Sequence, residues 1–173
     1  LRTEQWQAAR QLAALREYAR QSAVRLFGDL PFYVAPDSAA AWAHQEQLQL
    51  TATGKPALLA GVPPDYFSAD GQLWGNPLYD WNQAQRDHFS FWRMRLRVQL
   101  ELFDVLRIDH FRGLVDFWAV PPDAANARTG AWHAAPGRAL LETVKCDWPD
   151  LPFVAEDLGD ITIAVEALRR EFG

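Results

Sequence analysis

An α/β fold, part of a (β/α)8 TIM barrel, is predicted by three observations on this 173-residue chain. Short apolar runs alternate with stretches of helical periodicity, an order that calls for parallel strands joined by right-handed crossovers. Each of the three runs ends in an acid: Asp29, Asp109 and Glu156. Barrel enzymes gather their reactive groups at the C-terminal rim of the strands, which favours a barrel slice over a doubly wound sheet. About three strand–helix units cannot close a barrel. Residues 1–173 are therefore expected to form the central part of a catalytic barrel, an internal fragment that opens in one helix and stops just after another.

The elements follow in order. Gln5 to Ser22 contains neither Gly nor Pro and sets Trp6, Ala9, Leu12, Ala13 and Leu15 near helical spacing. Val24 to Asp29 is a short apolar run that breaks at Leu30-Pro31, the pattern of a buried strand. Asp37-Ser38 can cap a helix running from Ala39 to about Leu48. Between about Thr51 and Trp81 regular periodicity disappears, in a stretch holding Gly54, Gly61, Pro63-Pro64, Gly71, Gly75 and Pro77. Disordered segments are poor in aromatics, and this one carries Tyr66, Phe67, Trp74, Tyr79 and Trp81. It is expected to be an ordered loop, inserted at about 51–81, that packs its own rings.

Asn82 to Phe103 returns to helical spacing, with Phe89, Trp92, Leu96, Leu100 and Phe103 on one face. Val105 to Asp109 is the second strand, and a loop with Gly113 and Pro121-Pro122 leads to a helix over about 137–144. Phe153 to Glu156 is the third strand, followed by a helix over 161–172 with Thr162 as cap.

Composition narrows the function classes. The formal charge of −5 offers nothing to nucleic acid or an anionic surface, and no apolar run approaches a membrane span of roughly 20 residues. A single cysteine, Cys146, excludes an intrachain disulfide and favours a reducing, cytoplasmic compartment. The four histidines are scattered, so neither a metal site nor a cofactor is expected. Aromatic residues make up 13% of the chain, which suits a filled core for most rings and a sugar cleft for some.

The strand-end acids name a reaction class. Two carboxylates flanking one bond are the basic equipment for cleaving a glycosidic linkage. Side chains two apart on a strand share a face, so Arg107 and Asp109 point the same way. The guanidinium is expected to lower the pKa of Asp109, as suits a nucleophile. Glu156 follows Phe153, Val154 and Ala155 with no adjacent cation, and apolar surroundings are expected to raise its pKa as a proton donor needs. Taken singly, either acid is better read as a loop carboxylate past a strand end, and Asp29 equally as a turn former before Pro31. Asp157 competes with Glu156 but points to the opposite face. His110 reads as a packing residue or as a hydrogen-bonding partner for a sugar hydroxyl.

Several segments together are recognisable. They are Gly28-Asp29-Leu30-Pro31-Phe32-Tyr33-Val34, Gly61-Val62-Pro63-Pro64-Asp65-Tyr66-Phe67-Ser68 and Gln72-Leu73-Trp74-Gly75-Asn76-Pro77-Leu78-Tyr79. With Arg107-Ile108-Asp109-His110-Phe111-Arg112-Gly113 and Ala155-Glu156-Asp157-Leu158-Gly159, they closely resemble the 4-α-glucanotransferases, glycoside hydrolase family 77 of the α-amylase superfamily. The resemblance runs from about Val24 to the end. It implies transfer of α-1,4-glucan segments between maltooligosaccharides, with Asp109 as nucleophile and Glu156 as general acid/base. It further implies that Arg107 orients Asp109, that Asp29 and His110 bind the donor sugar, and that Tyr66, Phe67, Gln72 and Trp74 hold the glucan. The implied partner is a maltooligosaccharide or starch-type glucan. The family's third essential aspartate lies on a later strand beyond Gly173, so the fragment alone is expected to be inactive. An α-amylase-type hydrolase, a branching enzyme or a non-catalytic glucan-binding domain are the competing expectations.

Overall fold

The computed structural model describes residues 2–66 and 68–173. Two sheets organise the chain. The first is parallel, in the order β1 (Phe27–Leu30), β4 (Val105–Ile108), β7 (Phe153–Ala155). These are the three expected acid-bearing strands, side by side in chain order. The second is antiparallel, in the order β3 (Gln72–Pro77), β2 (Leu59–Val62), β5 (Asp116–Val120), β6 (Ala131–Ala134).

Six α-helices accompany the two sheets among the described residues. They are α1 (Arg2–Gln21), α2 (Ala39–Ala43), α3 (Trp81–Arg86), α4 (Ser90–Leu102), α5 (Gly137–Asp147) and α6 (Ile163–Phe172). Ser38 caps α2 by accepting from the Ala41 amide, and Thr162 caps α6 by accepting from that of Val165. Arg16 of α1 reaches Asp104 at 3.0 Å, whose other oxygen accepts from the Leu26 amide at 2.8 Å. That bridge fixes the starts of β1 and β4 against α1. Gly28 is required by close packing, because a β-carbon there would lie 2.4 Å from the Phe103 ring.

The structure departs from the sequence reading in four places. The stretch at 51–81 is not free of regular structure: β2 and β3 lie inside it and pair antiparallel, with an irregular register between Leu59 and Gly61. The segment after β4 also folds, into a 3-10 turn (Phe111–Leu114) and the β5–β6 hairpin. Asn82 to Phe103 is two helices. His88 and Phe89 adopt positive φ (56° and 55°), while Asp87 accepts from Gln47 Nε2 at 2.6 Å and from Ser90. The break frees Asp87 to pin the turn after α2. The α2 helix is accordingly shorter than expected, ending at Ala43 before a 3-10 turn (Gln45–Gln47).

The core lies between the parallel sheet and α4, and much of it is aromatic. Phe32, Tyr79, Trp81 and Trp92 form one cluster, with the Trp81 and Trp92 rings stacked at 6.0 Å. Arg95 ties it together by donating to the Phe32 carbonyl and the Tyr79 hydroxyl. Burial pushes the Tyr79 phenol up to about 12, so it stays protonated and donates to the Phe32 carbonyl. On β4, Leu106 and Ile108 face this core, while the alternate residue Arg107 points to the opposite, open face. Phe27 and Val154 are on that open face and remain largely exposed.

Candidate active site

Strand register assembles the site. Asp29, Arg107 and Val154 lie at one level of the sheet, and Asp109 and Glu156 lie one side-chain step nearer the rim. The backbone ladder continues just past the strand ends: the Asp109 amide donates to Leu30 O and the Glu156 amide to Ile108 O, both at 3.1 Å. Both carboxylates are therefore held by strand geometry rather than by free loops.

Arg107 is the hub. Its Nε and Nη2 donate to the two Asp29 oxygens at 2.9 Å each. Nη2 also reaches Asp109 Oδ1 at 3.0 Å, and Nη1 reaches Glu156 Oε1 at 2.9 Å. The second Glu156 oxygen accepts from the backbone N–H of His110 at 2.6 Å. His110 can aim that amide because it sits in the left-handed region, φ 50° and ψ 46°.

Two electrostatic expectations need correction. Asp109 does not have a lowered pKa. Burial raises it first and the Glu156 charge second, against the opposing pull of Arg107, with Asp29 and hydrogen bonding to Glu156 adding to the rise. Glu156, expected to lack a cation, accepts directly from Arg107. Adjacency along one strand says nothing of a long side chain such as Arg107 reaching across to the next strand. The Arg107 guanidinium is held firmly charged, chiefly by its hydrogen bonds to Asp29.

A cleft of about 440 Å³ opens above the pair, lined by Asp109, His110, Glu156, Gln72 and Trp74 among others. The Trp74 edge meets the His110 ring at 4.9 Å, and its Nε1 donates to Gln72 Oε1 at 3.1 Å. The aromatic segment thus delivers two of its expected residues to the cleft, on β3. Tyr66 is 97% exposed and stands out from the surface rather than lining the cleft. Phe67 lies outside the described residues. Burial against Phe32, Tyr33 and Trp74 lowers the His110 imidazole to about 4, leaving it neutral near pH 7. Asp157 lines a separate hollow behind the sheet with Ile108 and Ala155, which agrees with its opposite facing.

Arg112 and Trp132 also line the cleft, and neither was singled out from sequence. The Arg112 guanidinium is buried, donates to Asp116 Oδ1 and the Asp160 carbonyl at 2.6 Å each, and packs 4.0 Å from the Trp132 ring centroid. Only the unforeseen hairpin brings Trp132 here. Its one sequence signal was being one of eight tryptophans.

With this geometry in place, the likeness to known proteins is informative. A family model for 4-alpha-glucanotransferase matches residues 2–173. The chain belongs to the 4-alpha-glucanotransferase family. It is 49% identical over 169 residues to the 4-alpha-glucanotransferase of Thermus thermophilus, covering 98% of this chain and 34% of that protein. Against the one from Synechocystis sp. it is 50% identical over 165 residues, covering 94% and 33%. Among solved structures, an amylomaltase from Streptococcus agalactiae in complex with acarbose superposes with TM-score 0.91 at 40% identity, covering 94% of this chain and 33% of that one. An amylomaltase from Corynebacterium glutamicum does so with TM-score 0.83 at 26% identity, covering 97% and 24%. The chain thus spans about a third of the length of the curated 4-alpha-glucanotransferases it matches. The parallel strands and flanking helices are accordingly part of a (β/α)8 barrel.

Proposed function

We propose that residues 1–173 are the central part of a catalytic barrel that transfers α-1,4-glucan segments between maltooligosaccharides by double displacement with retention. The observation that carries this reading is one guanidinium joining Asp109 and Glu156 at the rims of adjacent parallel strands. Two carboxyls held on one guanidinium at adjacent strand rims suit an acid and a nucleophile acting on the same bond.

In the first step Asp109 attacks the anomeric carbon while Glu156 protonates the departing glycosidic oxygen. The donor glucan becomes an ester on Asp109, and the shortened chain leaves. In the second step Glu156 takes the proton from an acceptor hydroxyl, which displaces Asp109 and restores both carboxyls. Arg107 orients the pair and offsets charge on the nucleophile, while Asp29 fixes Arg107 and faces the donor sugar. The neutral imidazole of His110 is available to a sugar hydroxyl. Trp74 and Gln72 cover the approach, while a glucan-binding role for Tyr66 and Phe67 rests on the family likeness alone. A covered site that positions an acceptor hydroxyl favours transfer over hydrolysis.

The reading needs no cofactor, and Cys146 as an exposed free thiol suits a cytoplasmic setting. No described helix is long and apolar enough to cross a membrane. The test is to incubate a full-length enzyme carrying this chain with maltotriose and separate the products. Glucose with a ladder of longer maltodextrins is expected. Hydrolysis products alone would replace the reading with an α-amylase-type hydrolase, and new α-1,6 linkages with a branching enzyme.

A further inference from the structure

We infer that Trp132 is a sugar-stacking platform that carries a glucan chain out of the catalytic cleft into a second hollow beside β6. This rests on the glucan-transfer reading and adds to it a path for the part of the chain remote from the cleaved bond. Trp132 borders both spaces: the cleft with Asp109 and Glu156, and a hollow of about 550 Å³ shared with Gln49, Asp80, Asn82, Phe117 and His133. The hollow falls within the roughly 300–1,000 Å³ typical of small-molecule sites.

The ring is built to stay in place while remaining open. Its support is the Arg112 guanidinium at 4.0 Å, itself 6% exposed and anchored by Asp116 and the Asp160 carbonyl. Trp118 meets it edge-on at 5.2 Å, and donates its own Nε1 to Ala127 O. The indole is nonetheless 40% exposed, on a strand whose four residues are all exposed. A rigid, half-exposed ring braced by a buried cation presents an apolar surface of the kind a pyranose face covers.

The hollow has the polarity of a carbohydrate site. Asn82 and His133 are exposed, and neutral amide and imidazole groups suit hydroxyls as both donors and acceptors. Gln49 is held by its Nε2 bond to Tyr79 O, and Asp80 uses one oxygen to cap α3, which leaves the other free for a hydroxyl. Among the described residues no Lys or Arg lines the hollow, which disfavours a phosphorylated or otherwise anionic ligand. Among the described residues no group of three or more His, Cys, Asp or Glu is placed to hold a metal.

The experiment uses the full-length enzyme carrying Asp109→Asn to stop turnover, with maltotriose and maltoheptaose binding measured by calorimetry. Adding Trp132→Ala is expected to weaken maltoheptaose about tenfold and maltotriose by less than about threefold, the loss typical of one aromatic anchor. Asn82→Ala is expected to weaken maltoheptaose alone. Equal losses for both lengths, or no loss for either, would overturn the inference. Circular dichroism checks that Trp132→Ala folds; if it does not, Asn82→Ala and His133→Ala decide by the same comparison of lengths. Should unmodified enzyme only hydrolyse maltotriose, the transfer reading fails while this length dependence is still read independently.

Discussion

Arg107 spreads one positive charge over Asp29, Asp109 and Glu156, so three carboxylates compete for it. Glu156 takes a second donor, the His110 amide, whereas Asp109 is left partly desolvated beside a like charge. The consequence is a pKa for Asp109 above the usual carboxylate value, and its sign can be followed into stability. Above its unfolded value of about 3.9 and below its folded value, the native chain binds more protons at this site than the unfolded one. Stability is thus lost as pH rises through that window, and at pH 7 the ionised side chain is a net cost. Asp109→Asn removes that cost while its amide oxygen can still accept from Arg107. In the full-length enzyme the variant is expected to lose turnover yet melt at or above the wild-type Tm at pH 7, with the difference shrinking toward pH 4. A Tm clearly below wild type at pH 7 would show that Arg107 outweighs burial at this position. The same direction places the acidic limb of the kcat/KM profile above an ordinary aspartate pKa, because the nucleophile must be ionised to attack.

Secondary elements were legible where an apolar run, a rim acid and a long periodic helix coincided, as at β4 and α4. They were not legible where burial does not alternate. All four residues of β6 are exposed, and β2 is broken by an irregular register beside Gly61, so neither shows a period of two. The helix break at His88-Phe89 lacked the usual glycine, since tertiary packing rather than local preference holds those residues at positive φ. Aligned acids could be inferred from strand parity, but the hairpin that supplies Trp132 could not. One glycine shows how the aromatic segment is placed. Gly71 has φ +67°, and a β-carbon there would lie 2.4 Å from the Val62 carbonyl oxygen. It sets the turn into β3, which carries Gln72 and Trp74 to the cleft. Gly71→Ala is expected to cost on the order of 1–3 kcal/mol and to raise KM, through displacement of β3. Gly54 has a similar φ of +76° with nothing near its missing β-carbon. Gly54→Ala is therefore expected to cost less, and equal Tm losses would show that backbone strain, not collision, controls both sites.

At the scale of the molecule, the parallel sheet has two outer strands, β1 and β7, each with one unpaired edge. Its open face also exposes Phe27 at 58% and Val154 at 44%, beside the polar cluster of Asp29 and Arg107. In a closed barrel both edges are paired and that face is the filled interior. Here they are strand templates and apolar surface together, a combination that promotes self-association. The charge of −5 opposes aggregation, but it is screened over about 8 Å at physiological salt and cannot shield an adjacent strand edge. The same geometry limits chemistry, because Asp29, Asp109 and Glu156 line only the three strands present. Expressed alone, residues 1–173 are expected to elute as oligomers in size-exclusion chromatography with light scattering, and to release no glucose from maltotriose. The full-length enzyme is expected to do the opposite on the second count. A monomeric, active 173-residue chain would overturn the barrel-slice argument, because three strands would then suffice both to bury the open face and to complete the catalytic set.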